Sequence, residues 1–252
     1  MSLKKAILAA SVLSVSLNAN AALTSYTGVG GVGLVYSSVS DVTWTQDANL
    51  FKTMYDANNN LVNLITAITP SYNDPYFGTQ VIGQEVGDGG VIDDFDTATG
   101  GLSWWGGIAF TNYLNSINYG GSTAWRLPTS NGISGYNGTA VGNELGQLFY
   151  SELGGTEDSN IPNTPTFTNE QASAYWSGTE YAGTEYAPYN ILALGFNTYF
   201  GYQSYYSKIN QHYAWAVSPG QVSAVPVPGA VWLMGTSLLG FMAAKRTTKK
   251  LC

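Results

Sequence analysis

Basic residues are almost absent from the middle of this 252-residue chain, and their distribution divides the chain into three parts. Two lysines open the sequence and four cations close it, so that only Lys52, Arg126 and Lys208 lie between. All 16 aspartates and glutamates fall in the same middle stretch, which therefore carries a net charge of 3 − 16 = −13. The middle stretch must therefore fold with very few ion pairs, and the two ends of the chain, which are apolar and cationic, differ from it in composition.

The first 21 residues have the composition of a secretory signal peptide. Two lysines precede an apolar run over residues 6–17, and Ala19-Asn20-Ala21 ends the segment with a small-x-small cleavage pattern. A run of about a dozen residues is shorter than the roughly 20 that a membrane-spanning helix needs. The sequence therefore predicts export, with Ala19 and Ala21 as the cleavage residues and residues 1–21 excluded from the fold.

Residues 222–252 combine a proline-broken lead, an apolar stretch over about 225–244 and a basic end. Cations resist transfer across a membrane, so the basic end predicts a cytoplasmic location while residues 22–221 face outward. The apolar stretch is just long enough to cross the bilayer. These features predict a single C-terminal transmembrane helix, held in the inner membrane at least transiently.

The tail begins with a proline-rich motif, and the residues that define its pattern are Val225, Pro226, Val227, Pro228, Gly229, Ala230, Trp232 and Arg246. This pattern resembles the PEP-CTERM class of sorting signals, closest to its Val-Pro-Leu-Pro-Ala variant. Here Val227 stands in place of an acidic or leucine residue, and Gly229 replaces alanine. The resemblance implies recognition by an exosortase in Gram-negative bacteria that make extracellular polysaccharide, and then removal of the tail.

The exported segment, residues 22–221, is rich in aromatic side chains, since it contains all 18 tyrosines of the chain. This content predicts a packed core rather than a disordered stalk, and no charge run or proline-rich linker divides the segment into two domains. An acidic domain repels phosphate backbones, which excludes nucleic acid as a partner. Cys252 is the only cysteine and follows the tail, so the domain has no disulfide.

Hydrophobic periodicity predicts an α+β fold with two or three helices and short antiparallel strands. Helical spacing occurs over residues 61–68, in "SWWGGIAFTNYLNSI" and in "NELGQLFYSEL", where Asn143 is placed as an N-cap. Strand patterns occur over residues 28–38 and 41–45, and again in "AYWSGT", "NILALGFN", "TYFGYQSYY" and "YAWAV". A five-residue repeat, "GTEYA", starts at positions 178 and 183 and predicts a lengthened hairpin.

Short motifs occur in a fixed order along the middle of the chain. They are Trp44-Thr45 with Asp47-Ala48, Trp125-Arg126-Leu127-Pro128-Thr129, Glu144-Leu145 with Leu148, Tyr175-Trp176-Ser177-Gly178-Thr179, and Ala214-Trp215-Ala216-Val217. Together they resemble the Lcl-type C-terminal domain family over roughly residues 40–221. The resemblance implies a C-type lectin-like fold, akin to that of formylglycine-generating enzymes. Those enzymes use cysteines for copper-dependent oxidation, and the exported segment has none, so their activity is not carried over.

Arg126 is the only arginine of the exported segment, and it precedes a Leu-Pro turn. A guanidinium offers five donors in a rigid fork, which suits a position where loop carbonyls and a carboxylate meet beneath the surface. We therefore expect Arg126 to fix the turn, with Glu144 at the start of the following helix as its partner. A ligand-binding role for Arg126 is the alternative.

The loop "GDGGVIDDFDTATGG" is rich in carboxylates, and its aspartates are Asp88, Asp93, Asp94 and Asp96. Oxygen-rich loops bind calcium, the one cofactor that this sequence suggests. The EF-hand template fails, however, because Ala98 and Thr99 occupy the places of a ligand and the glycine. A solvated turn rich in aspartate and glycine is the favoured alternative.

Catalytic residue types are sparse in this chain. His212 is the only histidine, no Gly-x-Ser-x-Gly elbow accompanies it, and one imidazole does not make a histidine-based zinc site. We expect His212 on a strand surface. The sequence predicts a protein that is not an enzyme, and glycoside hydrolysis by paired carboxylates is the alternative.

Sugar binding is one function that two tyrosine-rich segments suggest. The segments "TEYAGTEYAPYN" and "YFGYQSYYSK" combine tyrosines, which stack on pyranose faces, with polar groups that accept from hydroxyls. Ordinary hairpin packing is the favoured interpretation of the same residues. The sequence thus predicts an exported binding or structural module of the envelope or matrix, with an extracellular polysaccharide or a surface protein as its partner.

Overall fold

The computed structural model describes residues 23–75, 78–83, 93–136, 142–181 and 191–223. Over these ranges it contains nine strands and four α-helices, and neighbouring strands within each sheet run antiparallel. The predicted α+β class with short antiparallel strands is therefore confirmed.

The strands are β1 (Leu23–Thr27), β2 (Gly33–Ser37), β3 (Val42–Thr45), β4 (Ser71–Asp74), β5 (Gly78–Val81), β6 (Ala174–Glu180), β7 (Leu192–Asn197), β8 (Tyr202–Ser207) and β9 (Val217–Pro219). The helices are α1 (Leu50–Ala57), α2 (Leu61–Ile68), α3 (Trp104–Ser116) and α4 (Glu144–Gly146), and α4 continues into a π-helical segment, Gln147–Glu152. One sheet has the order β1-β2-β3-β9, a second has the order β6-β7-β8, and β4 pairs with β5.

The three helices predicted from the sequence are present, and two of them begin at side-chain caps. Ser103 Oγ accepts from the backbone N–H of Gly106 at 3.0 Å at the start of α3. Asn143 Oδ1 accepts from the N–H of Gly146 at 3.1 Å at the start of α4, as its sequence position predicts. Such caps satisfy donors that have no partner within the helix.

Four elements are missing from the sequence-based prediction, namely α1, β1, β4 and β5. Helix α1 has no side-chain cap, so it lacks the start signal that marks α3. Its residues Leu50 and Phe51 are nevertheless buried in the core. Strands β4 and β5 have four residues each, as β3 does, but they are mainly polar residues and glycine and lack the β-branched and aromatic content that predicts β3.

The buried side chains of the described residues form two hydrophobic clusters that meet at strand β2. Leu34 belongs to the cluster that packs on α1, α2 and α3. Its neighbour Val35 belongs to the other cluster, which packs on the π-helical segment and on β6 and β7. Successive strand residues point to opposite faces, so one strand supplies both clusters. In the second cluster the Trp44 and Trp215 rings meet edge to face with centroids 5.3 Å apart.

The segment around residues 212–217 connects the two sheets, and this explains why the predicted strand "YAWAV" is only partly formed. Tyr213 bonds to β6, where its N–H donates to Ala174 O at 3.0 Å and its carbonyl accepts from Trp176 N–H at 2.9 Å. Ala216 then bonds to β3, because its carbonyl accepts from Thr45 N–H at 3.1 Å. The segment changes partners within three residues, and regular strand begins only at Val217.

The residues that follow β9 are fixed to β3 by a single threonine. Thr43 Oγ1 donates to Gly220 O at 2.8 Å and accepts from Val222 N–H at 3.0 Å. Val222 is 7% exposed and packs into the cluster that contains Leu34. The chain therefore remains part of the folded body up to residue 222.

Several predictions concern residues outside the described ranges. These are the signal peptide with Ala19 and Ala21, the transmembrane stretch 225–244, all the sorting-signal residues and the second "GTEYA" copy. Within the described ranges, no helix has both the length and the apolar character needed to cross a membrane. The domain boundaries at residues 22 and 221 stay predictions.

Candidate functional site

A groove beside strand β8 combines aromatic rings with polar groups and one carboxylate. We call it the aromatic groove; its volume is about 390 Å³, and its lining residues are Tyr136, Asp158, Asn197, Phe200, Tyr202, Ser204 and Tyr206. Tyr202, Ser204 and Tyr206 are alternate residues of β8, so they project from one face of the sheet. The groove is therefore built on a regular element rather than on loops alone.

The loop that carries Tyr136 is hydrogen-bonded along β8. Gly135 N–H donates to Gln203 O at 2.8 Å, and Gln203 N–H donates to Gly135 O at 3.0 Å. Gly135 has φ +125°, a conformation that a residue with a Cβ rarely adopts. The buried Gln203 side chain adds a bond from its Nε2 to Asn131 Oδ1 at 3.0 Å. Tyr136 is thus presented at a fixed position beside the strand.

Two rings and one carboxylate shape the open side of the groove. The rings of Tyr136 and Tyr202 meet edge to face, with centroids 5.0 Å apart and an interplanar angle of 82°. The Tyr136 hydroxyl donates to the Asp158 carboxylate, and this hydrogen bond raises the pKa of Tyr136 to about 12. Asp158 is in turn held by its N–H, which donates to Phe200 O at 2.8 Å. The two rings are therefore oriented before any ligand arrives.

The chemistry of the groove suits a neutral, hydroxylated ligand. Tyr136 and Phe200 are 41% and 44% exposed, so their rings are open to contact with a ligand. Tyrosine faces pack against the apolar face of a sugar ring, while Asp158 and Asn197 accept from hydroxyls. No lysine or arginine is among the described lining residues, so these residues offer no positive charge to a sulfate or phosphate.

The predicted pairing of Arg126 with Glu144 is confirmed. Arg126 Nη1 donates to Glu144 Oε2 at 2.8 Å, and Nη2 donates to Oε1 at 2.7 Å, which is the bidentate arrangement that a guanidinium favours. Nη1 also donates to Leu127 O at 3.1 Å, and Glu144 Oε2 accepts from Thr129 N–H at 2.6 Å. The pair joins the Leu-Pro turn to the start of α4.

The expectation that Arg126 lies beneath the surface is wrong. Its side chain is 35% exposed, whereas that of Glu144 is 9% exposed. The difference arises because the guanidinium lies at the wall of a second cavity, between α3, β4, β6 and the Leu-Pro turn. We call this cavity the motif cleft, since Trp125, Arg126, Leu127 and Gly178 all line it; its volume is about 290 Å³.

The four motif tryptophans are core residues rather than exposed ligand contacts. Each is at most 2% exposed, and they are Trp44, Trp125, Trp176 and Trp215. The indole N–H of Trp176 donates to Leu102 O at 2.7 Å, and that of Trp215 donates to Thr45 O at 2.9 Å. These bonds tie distant segments together, which indicates a structural role.

The remaining motif residues join β6 to the Leu-Pro turn. Gly178 N–H donates to Pro128 O at 2.8 Å. Ser177 is buried, and its carbonyl accepts from the indole N–H of Trp104 at 2.9 Å. Leu127 is buried between these contacts. The turn is therefore fixed by backbone bonds as well as by the Arg126 fork.

An ion cluster that the sequence does not reveal lies beside the motif cleft. Lys208 is 0% exposed, and its Nζ donates to Asp74 Oδ2 at 2.6 Å and to Glu180 Oε2 at 2.8 Å. The same Nζ lies 4.6 Å from the centroid of the Trp104 ring. A buried ammonium is tolerated only where partners match its charge, and two carboxylates and a ring do so here.

The aspartates of the predicted calcium loop make local hydrogen bonds where the structure describes them. Asp93 and Asp96 accept from backbone N–H groups of their own turn at 3.0 and 2.9 Å. Asp94 accepts from the Ser103 hydroxyl, and burial raises its pKa. Among the described residues, no three histidine, cysteine or acidic side chains are grouped so as to hold a metal. Asp88 lies outside those residues, so calcium binding stays a prediction.

The prediction that His212 lies on a strand surface is wrong. Its ring packs between Trp176 and Tyr206, with centroid distances of 4.6 and 4.5 Å. Burial lowers the pKa of His212 to about 4, so the imidazole is neutral at pH 7. Its Nε2 is buried without a hydrogen-bond partner in the described part of the chain, so no serine or carboxylate bonds to it there.

The carboxylates that contact Lys208 do not form the open pair that glycoside hydrolysis needs. Asp74 is 0% exposed and shares Lys208 Nζ with Glu180, so only Glu180 is accessible to a substrate. Carboxylates in residues that the structure does not describe are not tested by this geometry. The prediction that the protein is not an enzyme therefore stays a prediction.

Comparison with known proteins identifies the family of this chain. The family model described as Lcl C-terminal domain matches residues 33–218, from the first residue of β2 into β9. The match spans more than half of the chain and contains both the aromatic groove and the motif cleft. No curated protein and no solved structure matches the sequence. The chain belongs to the Lcl C-terminal domain family.

Proposed function

We propose that this protein is an exported, non-catalytic binding module of the cell envelope or extracellular matrix, and that the aromatic groove binds extracellular polysaccharide. The preset rings of Tyr136 and Tyr202 carry the proposal, since they are oriented by contact with each other and by Asp158. Rigid aromatic side chains lose little conformational freedom on binding, so their contact area contributes to affinity with a small entropic cost.

The charge of the exported segment supports a neutral or cationic ligand. Residues 22–221 carry a net charge of 3 − 16 = −13, which repels sulfated, phosphorylated and uronic-acid polymers. Among the lining residues that the structure describes, Asp158 is the only ionisable carboxyl group. Neutral or cationic stretches of a polysaccharide therefore fit this surface better than anionic ones.

The proposal includes the route to the cell surface. The pattern of residues 222–252 supports sorting by an exosortase, with the domain either anchored in the inner membrane or released to the matrix after processing. Kinship with C-type lectin-like folds, implied by the resemblance, belongs to the same proposal. Peptide mapping of the native protein tests the route, because retention of residues 1–21 would contradict export.

Retention of the purified protein on the organism's own extracellular polysaccharide tests the groove. Replacing Tyr202 by alanine removes one stacking surface, which contributes about 1 kcal/mol, so retention is expected to weaken about fivefold. Tyr36→Ala is a matched control, since Tyr36, like Tyr202, is a half-buried strand tyrosine but lies on the other sheet. Its retention should equal that of the unchanged protein.

A reducing-sugar assay on the same samples separates binding from catalysis. Retention without release of reducing ends supports a binding module, whereas turnover would support the alternative, a carbohydrate-active enzyme that uses paired carboxylates. Retention that is unchanged by Tyr136→Ala and Tyr202→Ala together would show that the polysaccharide binds elsewhere.

A further inference from the structure

We infer that the motif cleft is a second binding site, one that takes the ammonium group of a small hydroxylated molecule such as an amino sugar. The cleft and the aromatic groove share no lining residue among those the structure describes. The inference therefore stands or falls independently of polysaccharide binding in the groove.

The ion cluster beside the cleft contains one more carboxylate than it has cations. Lys208 is the single cation shared by Asp74 and Glu180, so this group of three carries 1 − 2 = −1. Arg126 is already matched by Glu144, and their pair adds no net charge.

The rest of the exported segment has no cation left to neutralise this excess. Only three lysines and arginines occur in residues 22–221, and the third, Lys52, bonds to Asp56 on helix α1. A buried or half-buried excess charge is unfavourable, and a bound cation would remove that penalty. The cluster therefore favours a positively charged ligand over a neutral one.

The excess negative charge reaches solvent at Glu180. Its side chain is 30% exposed, while those of Lys208 and Asp74 are 0% exposed. Oε2 of Glu180 accepts from Lys208, and among the described residues no hydrogen bond engages Oε1. Since Glu180 lines the cleft, a ligand that enters can place an ammonium on this carboxylate.

The Tyr72 ring beside Glu180 adds an aromatic surface suited to a cation. Tyr72 is half-buried and lines the cleft, and the Trp104 ring, which is 1% exposed and already contacts Lys208 Nζ, supports it edge to face at 87° with centroids 5.7 Å apart. Burial raises the pKa of the Tyr72 hydroxyl, and the nearby Glu180 and Asp74 charges raise it further, so the phenol stays neutral. Aromatic faces next to a carboxylate are a recurring means of holding ammonium groups.

Hydrogen-bonding groups at the rim favour a hydroxylated ligand. Arg126 uses three of its donors on Leu127 and Glu144, and its 35% exposed guanidinium retains others. Asn112 and Thr129 are exposed on the same rim. A volume of about 290 Å³ is near the lower end for small-molecule sites, so it accommodates one hexosamine rather than an oligomer.

Titration with D-glucosamine, followed by tryptophan fluorescence, tests the inference on the full-length protein. Trp104 and Trp125 line the cleft and supply the signal. At a pH where the amine is protonated, we expect a dissociation constant of the order of millimolar, as is usual for so small a ligand. N-acetyl-D-glucosamine and D-glucose lack the charge and should bind at least tenfold more weakly. Equal binding of D-glucose and D-glucosamine, or no binding of D-glucosamine, would overturn the inference.

Two variants locate the binding. Glu180→Gln keeps the shape and removes the charge, so it should weaken D-glucosamine binding at least tenfold. Asn112→Lys introduces a competing ammonium at the exposed rim without altering the ion cluster, and should weaken binding to a similar extent. Tyr202→Ala, in the other site, should leave it unchanged. If either cleft variant binds D-glucosamine as tightly as the unchanged protein does, the inference fails. If Glu180→Gln does not fold, the result for Asn112→Lys alone decides.

Discussion

Replacing Arg126 by lysine tests whether the guanidinium fork, rather than its charge, holds the Leu-Pro turn. One ammonium does not reproduce the parallel bonds to both Glu144 oxygens together with the bond to Leu127 O. Hydrogen bonds to charged groups contribute about 1.5–3 kcal/mol each. One such bond survives in the variant, and the side chain is 35% exposed, so we expect a net loss of about 2 kcal/mol in the free energy of unfolding.

Thermal unfolding followed by circular dichroism measures this loss. In a domain of this size, 1 kcal/mol changes Tm by about 2–4 °C, so Arg126→Lys should lower Tm by about 4–8 °C. Lys52→Ala is the control, because Lys52 and Asp56 form a partly exposed pair one helical turn apart. Such pairs contribute about 0.3–0.5 kcal/mol. A drop for Arg126→Lys no larger than that of the control would refute the reasoning.

A double-mutant cycle with Glu144→Gln isolates the pair itself. If the fork holds the turn, the two substitutions together should destabilise the protein less than the sum of their separate effects. Strict additivity would mean that Arg126 and Glu144 act independently despite their 2.7 and 2.8 Å bonds.

Two further predictions concern pH. Burial raises the pKa of Glu152 from 4.5 to about 7, so its stabilising contribution is full below pH 4.5 and is lost as pH rises through 7. Glu152→Gln should therefore raise Tm above pH 7, and a variant no more stable there than the unchanged protein would contradict this. Burial lowers the pKa of His212 from 6.5 to about 4, so its contribution is full above pH 6.5 and is lost as pH falls through 4. His212→Phe should therefore reduce the fall in Tm between pH 6.5 and pH 4. A Tm that falls as steeply in the variant as in the unchanged protein would count against this.

The helices that frame the motif cleft show which local signals suffice for prediction. Helix α3 carries both an apolar stripe and the Ser103 cap, and it forms where these signals place it. Helix α1 also buries apolar residues but has no capping side chain, and it is absent from the prediction. Helix α2 has the same length and also lacks a capping side chain, but it contains five branched aliphatic residues where α1 contains one, Leu50, so the apolar stripe of α2 is sufficient for prediction.

The Arg126–Glu144 pair could be predicted because the exported segment has a single arginine and its turn leads into the next capped helix. The exposure of Arg126 could not be predicted from the sequence, because it depends on how closely α3, β4 and β6 approach the turn. His212 shows the same limit. Its neighbours along the chain are polar, and the rings that bury it belong to β6 and β8.

The cluster around Lys208 lies beyond sequence reasoning for a related cause. Lys208 sits next to Ile209 and Asn210 in what resembles a surface turn, and its partners Asp74 and Glu180 lie 134 and 28 positions away. The one available signal is the scarcity of cations, which makes each lysine of the segment noteworthy. In the aromatic groove, likewise, the tyrosines of "YFGYQSYYSK" could be predicted, but Asp158 and Tyr136 come from separate loops.

The attachment of Gly220 and Val222 to Thr43 has a mechanical consequence. Because these residues are bonded to the sheet, no loose segment absorbs a pulling force applied to the chain beyond residue 223. The force is transmitted directly to the four-stranded sheet. There it loads β9, which pairs with β3 and whose Val217 also exchanges two backbone hydrogen bonds with Arg126, at 2.8 and 2.9 Å. Tension on the chain beyond residue 223 is therefore carried into the sheet and, through Arg126, into the Leu-Pro turn beside the motif cleft.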